Sequence, residues 1–508
     1  MVQAQATHKG DPPPSLSSIA EDLLARILCC AAPEDIIQLR KTCRSLHAAS
    51  TRRFVWLHAL RSVMYEHQIF LPTYDLDSMS IAQLEAAAIR PAKVVKKAIA
   101  LNNSEVALQP RSHRVLVNWQ DEDEEAYYMQ EDEPRDFAEI THIPGGRFLI
   151  TTSDNYSRMY VKLWDLGQPG DGQSRISLLA TMKTPADVFI HVTAPTPDGT
   201  GIRIFAAVTA HNTFGVKVYE IFPLQSSPTF KEIAFINTNG FISSIGVSGN
   251  RVICTTGRMT NTPANGIVLV WDYVHNIATT FQPSLSFPRE VYLWGDYAVL
   301  YHTDTLTMWK IPALRSGTPN FDEAMPVSLP VWQDAIPFST SVGDYQAMPY
   351  HQMGWFPATA HCRYIIICGT LTDPSAVEFL LYKLEGTPTS SDLDLDSPSD
   401  SPSAVPTLLT RARFDHEVIH AAHSFVRCPP QICDHHVVMT CFLEERMLVL
   451  AFPVPDEEEV SSPSTVMCKF RIGDMSPELV EFSAATGRAF LFASDTGELR
   501  VVDYIDPR

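Results

Sequence analysis

With 508 residues, 19% of them charged and 45% hydrophobic, the chain is too long for one ordinary core and has room for a small domain and a large one. Its net charge of −19 is unevenly spread: residues 1–100 hold 12 Lys and Arg against 9 Asp and Glu, and the remainder holds 27 against 49. Such an acidic body repels phosphate backbones at long range, which argues against general nucleic-acid binding, and no run approaches the ~18 apolar residues of a membrane span.

Residues 1–14 contain Pro12, Pro13 and Pro14 and no apolar stretch that could act as a secretory h-region, so they read as a disordered start. The ten Cys are scattered over the whole length. Reduced thiols and a cytoplasmic or nuclear location are therefore expected.

Residues 15–64 read as a helical domain. Ile19, Leu23, Leu24, Ile27 and Leu28 form the stripe of an amphipathic helix, with Ser17 and Ser18 available as caps and Glu21 and Asp22 in the first turn. Pro33 suits the first turn of a second helix, along which Ile36, Leu39, Cys43 and Leu46 share one side and Ile37 broadens the stripe. A third pattern runs through Phe54, Leu57, Leu60 and Met64. Within a helical linker at 65–93, Ser80 and Gln83 have the spacing of a capping box. From periodicity alone, the simplest reading is a helical cap packed on whatever follows.

The order Ile19-Ala20-Glu21-Asp22-Leu23-Leu24, Ile27-Leu28, Pro33-Glu34-Asp35-Ile36-Ile37 and Leu39-Arg40-Lys41-Thr42-Cys43-Arg44 resembles an F-box over about thirty residues. Ala20 stands where that family usually has Pro, and Leu46 where it usually has Trp. The layout that follows is similar to large fungal F-box families. The resemblance implies docking to a Skp-type adaptor and through it to a cullin scaffold. It makes Ile19, Leu23, Leu24, Ile27, Ile36, Ile37 and Cys43 candidates for the adaptor interface or for the core beneath it.

From residue 94 to 508 the character changes to short strand-like runs. Val161–Asp165 and Val268–Asp272 end in Trp-Asp, and weaker copies are Val216–Glu220, Leu306–Lys310, Phe379–Lys383, Leu448–Leu450 and Leu499–Asp503. Taken at positions 164, 219, 271, 309, 382, 451 and 502, these units recur with a period near fifty and insertions. The rhythm resembles a degenerate WD-repeat β-propeller. Seven blades are expected, with six or eight as alternatives, and Arg114–Val117 is expected to complete the last blade and remove its edge. Fold class is thus mainly β with an α-helical N-terminal segment. Residues 121–136, with nine acids and one Arg, and the Ser/Pro/Asp-rich 385–404 read as solvated loops, and Ser397, Ser399 and Ser401 sit in an acidic context suited to phosphorylation.

Phosphate-cradling Gly-rich loops, His-Glu-x-x-His and nucleophile elbows are absent from the sequence. Cys428, Cys433, His435, His436 and Cys441 have zinc-ligand chemistry but no common finger spacing. Adjacent His435 and His436, read as strand residues, would point to opposite faces, so structural Cys and strand His are expected, with no metal and no cofactor. The expectation is a non-catalytic substrate receptor of an SCF-type ubiquitin ligase holding an unknown protein target. The alternative is a propeller scaffold with a helical cap, unrelated to ubiquitin.

Overall fold

The computed structural model describes residues 19–506 except 103, 105, 118–136, 155–158, 172–174, 185–186, 211–212, 239, 258–265, 284–286, 303, 318–320, 322–326, 337–347, 352–361, 371–375, 386–404, 416–430, 444–445, 455–465, 473–478 and 494–495. Six α-helices come first: α1 Glu21–Cys29, α2 Pro33–Arg40, α3 Arg44–Ser50, α4 Arg53–Glu66, α5 Ile81–Ala88 and α6 Arg90–Ala100. Leu24, Leu28, Ile36, Leu46, Trp56, Leu60 and Leu84 from the first five pack into one apolar cluster. Burial of that cluster, more than helix propensity, holds such short helices.

The local signals mostly act where the residues place them. Pro33 opens α2, and Ser80 accepts from Gln83 N while the Gln83 side chain accepts from Ser80 N, a reciprocal box. Two expectations are corrected. Ala20, not Ser17 or Ser18, occupies the N-cap of α1, and both serines fall outside the described residues. The second helix stops at Arg40, so Cys43 is the extended N-cap of α3 and does not share a helix face with Ile36 and Leu39.

Among the described residues seven sheets follow, six of them four-stranded and antiparallel and the third enlarged to six strands. Blades 1 to 6 span 139–184, 187–237, 241–283, 290–335, 348–415 and 431–471, and blade 7 joins 479–503 to the early strand Ser112–Val117. That strand pairs along its whole length with Glu498–Asp503, from Ser112 opposite Asp503 to Val117 opposite Glu498. The N-terminal strand thereby completes the last blade as its outermost strand; the edge expected to be removed is instead passed to Ser112–Val117 itself. First strands of neighbouring blades lie side by side, in blades 7 and 1, 2 and 3, and 3 and 4, so they line the ring's inside.

All seven units of the hydrophobic rhythm are third strands of blades. The two that end in Trp-Asp are buried on both faces: every residue of Met159–Trp164 and of Ile267–Asp272 is buried. Outer strands instead alternate with solvent, as in Ser177–Thr184. Blade 3 is extended: Arg315–Ser316 pairs antiparallel and Val327–Ser328 parallel with its outer strand Ile277–Pro283. This insertion from blade 4 covers part of an outer edge that would otherwise offer unpaired backbone groups.

The helical region sits on one end of the ring. Phe70 N donates to Pro144 O at 3.0 Å, Arg147 Nη1 donates to Pro72 O at 2.8 Å, and Ala485 joins the helical cluster. A Cβ on Gly199 would come within 2.7 Å of Leu71, and His435 approaches Glu66 at 4.0 Å. All these partners lie on or beside the turns between first and second strands, in blades 1, 2, 6 and 7. Beyond them, α6 buries Val94, Val95 and Ala98 among Val449, Phe470, Leu491 and Val502 of blades 6 and 7.

Candidate functional site

The i, i+4 geometry of α1 sorts its aliphatic residues onto two faces. Leu24 and Leu28 are buried in the helical cluster, whereas Leu23 is 53% and Ile27 48% exposed. Ile36 is fully buried, and Ile19, Ile37 and Cys43 are half-buried against the same cluster. The candidate residues therefore divide into a core set and an outward pair. Leu46 is buried and takes part in the core.

Polar contacts fix that face. Arg52 reaches back to α1, bonding Glu21 Oε1 at 3.0 Å and Asp22 Oδ1 at 2.5 Å. Arg40 makes a two-pronged contact with Glu85, at 3.1 and 2.7 Å, and its guanidinium lies 5.3 Å from the Trp56 ring centroid. Trp56 Nε1 in turn donates to Ser50 O at 2.8 Å. Thus α2 is clamped to α5 and α4, and the outward residues of α1 stand on a fixed support.

Between the helices and blade 1 lies a cleft of about 550 Å³. Tyr74, Met79, Ala86 and Ala87 line it together with Arg90, Arg147, Asp165 and Arg175. Arg147 is bonded to Asp165 through Nε at 3.0 Å and Nη2 at 2.8 Å. Sequence reasoning missed this junction, because its groups come from the helical region and from blade 1, far apart along the chain.

Inside the ring, polar groups bridge first strands. His142 Nδ1 lies 2.8 Å from Glu481 Oε2, joining blades 1 and 7, and Ser244 Oγ donates to Glu290 Oε2 at 2.5 Å, joining blades 3 and 4. Burial pushes the Glu290 carboxyl up to about 7. Ala484 N donates to Gln431 Oε1 at 2.8 Å between blades 7 and 6.

The Cys/His cluster looks different in space. Asp434 and His435 form the tight turn of blade 6 with φ of 48° and 56°, so His435 is a turn residue and only His436 begins a strand. The expected strand pair of histidines is corrected accordingly. Cys433 is buried, with its thiol directed at Pro91 O, and burial pushes that thiol well above its ordinary range. Cys428 and the Cys441 side chain fall outside what is described. Among the described residues no group of three His, Cys, Asp or Glu is placed to hold a metal ion, and no helix is long and apolar enough to cross a membrane.

No family model matches the chain, and no curated protein matches it. Solved propellers do. The β-propeller domain of Cps50 (Swd1) from Myceliophteria thermophila is 9% identical, with 72% of this chain and 96% of that one covered and a TM-score of 0.40. The WD40 domain of SCAP from fission yeast is 11% identical over 75% and 87%, with a TM-score of 0.39. The C-terminal WD40 domain of Sif2 is 11% identical over 73% and 96%, with a TM-score of 0.35. The architecture here rests on the seven sheets and their closing strand.

Proposed function

We propose that this protein is the substrate-receptor subunit of an SCF-type ubiquitin ligase. The helical region docks a Skp-type adaptor, and through it a cullin scaffold, while the propeller holds a protein target in the cytoplasm or nucleus. The observation that carries this reading is the pair Leu23 and Ile27, two large aliphatic side chains about half-exposed on the first helix of an F-box-like pattern whose neighbours Leu24 and Leu28 form the core. Burying an aliphatic side chain is worth roughly 1.5–3 kcal/mol before the costs of association. The opposite end of the ring, away from the helical contacts, is the surface assigned to the target. The protein performs no covalent step in this role; tethering raises the target's effective concentration to about millimolar near the ubiquitin-loaded enzyme.

The full-length chain tests this in capture on an immobilised Skp-type adaptor, beside Leu23→Asp and Ile27→Asp. Binding by the wild type that both variants lose is the expected result. Capture of the variants at wild-type strength would show that another face docks.

A second reading, a scaffold whose helices only cap the propeller, is favoured by one observation. Ala485 and α6 tie the helices into the propeller's own core. On that reading neither wild type nor variant binds adaptor.

A further inference from the structure

The cleft between the helices and blade 1 carries a charge imbalance that the adaptor reading does not use. Arg90, Arg114 and Arg488 gather around Asp503, and Arg147 with Asp165 lies beside them. Arg175 and Asp171 complete the rim. The lining itself holds three guanidinium groups, Arg90, Arg147 and Arg175, against two carboxylates, Asp165 and Asp171; behind it Arg114 and Arg488 stand against Asp503, so the junction as a whole carries a local surplus of two positive charges in a chain of net charge −19. Arg90 is 3% exposed; its Nη1 donates to Pro169 O at 2.6 Å, while its buried Nε has no hydrogen-bond partner. Arg175 is exposed at the mouth and pairs with nothing among the described residues. The strain is visible deeper in: burial, and after it the like charge of Arg488, hold the Arg114 guanidinium below its ordinary range.

A buried cationic surplus of this kind is relieved by a multiply charged anion. Guanidinium groups suit phosphate oxygens in charge and in planar two-point geometry. A phosphate monoester carries about −1.5 to −2 at neutral pH, which matches the surplus, whereas a single carboxylate leaves half of it. The cavity, about 550 Å³, falls in the size range of sites for small organic ligands and exceeds what one phosphate fills. Met79, Ala86 and Ala87 add apolar surface to the lining, and Tyr74, whose hydroxyl lies against Arg90, adds its ring. We propose that this cleft binds a small phosphate monoester, with the phosphoryl group on Arg90 and Arg175 and the organic part against Tyr74 and Met79. Such a ligand ties the helical region to blade 1, so its binding also stabilises the junction. The proposal does not depend on adaptor docking.

The test is isothermal titration calorimetry of the full-length protein with phenyl phosphate and, separately, inorganic phosphate, against chloride at matched ionic strength. Arg175→Gln, Arg90→Gln and the distant Lys310→Gln are compared with wild type. Phenyl phosphate is expected to bind, to weaken about fivefold to tenfold in Arg175→Gln and more in Arg90→Gln, and to be unchanged in Lys310→Gln. Near-ultraviolet circular dichroism checks that Arg90→Gln keeps its fold, and exposed Arg175 carries the test if it does not. Phenyl phosphate binding more tightly than inorganic phosphate supports the organic subsite. Equal affinity of the two overturns the monoester assignment in favour of free phosphate. Absence of binding by either probe at about 10 mM, or affinity unaffected by Arg175→Gln, overturns the site.

Discussion

Arg488 and Asp503 face each other across the second and third strands of blade 7, joined by Nε–Oδ1 at 2.7 Å and Nη2–Oδ2 at 3.0 Å. Arg488 is completely buried, and its Nη1 also donates to Gly146 O at 2.8 Å and Gly167 O at 3.0 Å of blade 1. A similar arrangement, a basic residue at or next to the start of the second strand and an acid at or next to the end of the third, recurs as Arg147–Asp165 in blade 1 and Arg203–Glu220 in blade 2. In blade 3 the register partners Arg251 and Asp272 turn apart, Arg251 to Asp296 of blade 4 and Asp272 to His275. An Arg–acid pair thus locks hairpins here and, in blade 7, also links the last blade to the first.

Removing one member of the Arg488 pair strands the other in a dry site. Asp503→Ala is expected to cost about 3–5 kcal/mol, read from chemical denaturation at pH 7. The pH dependence has a definite sign. Burial alone raises the Asp503 carboxyl, but Arg488 and Arg114 outweigh it and hold the group below the ordinary carboxylate range. Its contribution is therefore present above about pH 4, the unfolded value, and is lost as pH falls through the lower folded value. Wild type should lose stability on acidification through that window, and Asp503→Ala should lose less. A variant with the same acid slope as wild type would place the effect elsewhere.

Leu23 and Leu24 are neighbours with opposite fates. Leu24→Ala opens a cavity in the helical cluster and is expected to cost about 2–5 kcal/mol, whereas Leu23→Asp on the outward face should stay within about 0.5 kcal/mol. Thermal unfolding of the two full-length variants checks this. A large loss in Leu23→Asp would mean that the face is packed against something in the free protein, and adaptor capture by that variant could not then be interpreted.

The propeller was legible because third strands are largely apolar and largely buried inner strands, so apolar runs ending near Trp164, Tyr219, Trp271, Trp309, Tyr382, Ala451 and Val502 mark one equivalent strand in every blade. The closing strand was legible as an apolar run, Arg114–Val117, standing ahead of the first complete hairpin. The break between α2 and α3 was not, because Ile36, Leu39, Cys43 and Leu46 keep near-helical spacing straight across it. Nor does periodicity alone say which stripe of α1 faces outward; packing of α3 and α4 against α1 decides that. The turn at Asp434 and His435 has positive φ without glycine, and Asp and His, though among the side chains that tolerate it best, announce it only weakly. The cleft arginines come from positions 90, 147 and 175 and become neighbours only when the ring closes under the helices.

Gly145 is where the propeller admits the helical region. Its φ is +99°, and a Cβ there would lie 2.6 Å from Thr73 Oγ1 and 2.7 Å from Ile69 Cγ2. Gly145→Ala combines left-handed strain with overpacking, each worth about 1–3 kcal/mol. The expected outcome is a loss of that order, with faster proteolysis after the helical region if docking fails before the blades do. Unfolding at the wild-type midpoint with an unchanged proteolytic pattern would show that the contact between Pro144 and Phe70 does not govern docking.

Glu290 offers a test of the ring's inside that is opposite in sign to Asp503. It begins the first strand of blade 4 and accepts from Ser244 of blade 3, and burial pushes its carboxyl up to about 7 despite that hydrogen bond. Its unfolded value is about 4.3, so between roughly pH 4 and pH 7 the folded chain holds a proton that the unfolded chain has released. Stability attributable to this group therefore falls as pH rises through that window, and the full penalty of a buried charge applies above it. Glu290→Gln keeps shape and hydrogen bonding without the charge. It is expected to raise stability at pH 8 by about 1–3 kcal/mol and to change little at pH 4.5. Urea unfolding at the two pH values measures the difference. An equal effect at both would mean that Glu290 stays ionised in the folded ring, with water reaching the space between blades 3 and 4.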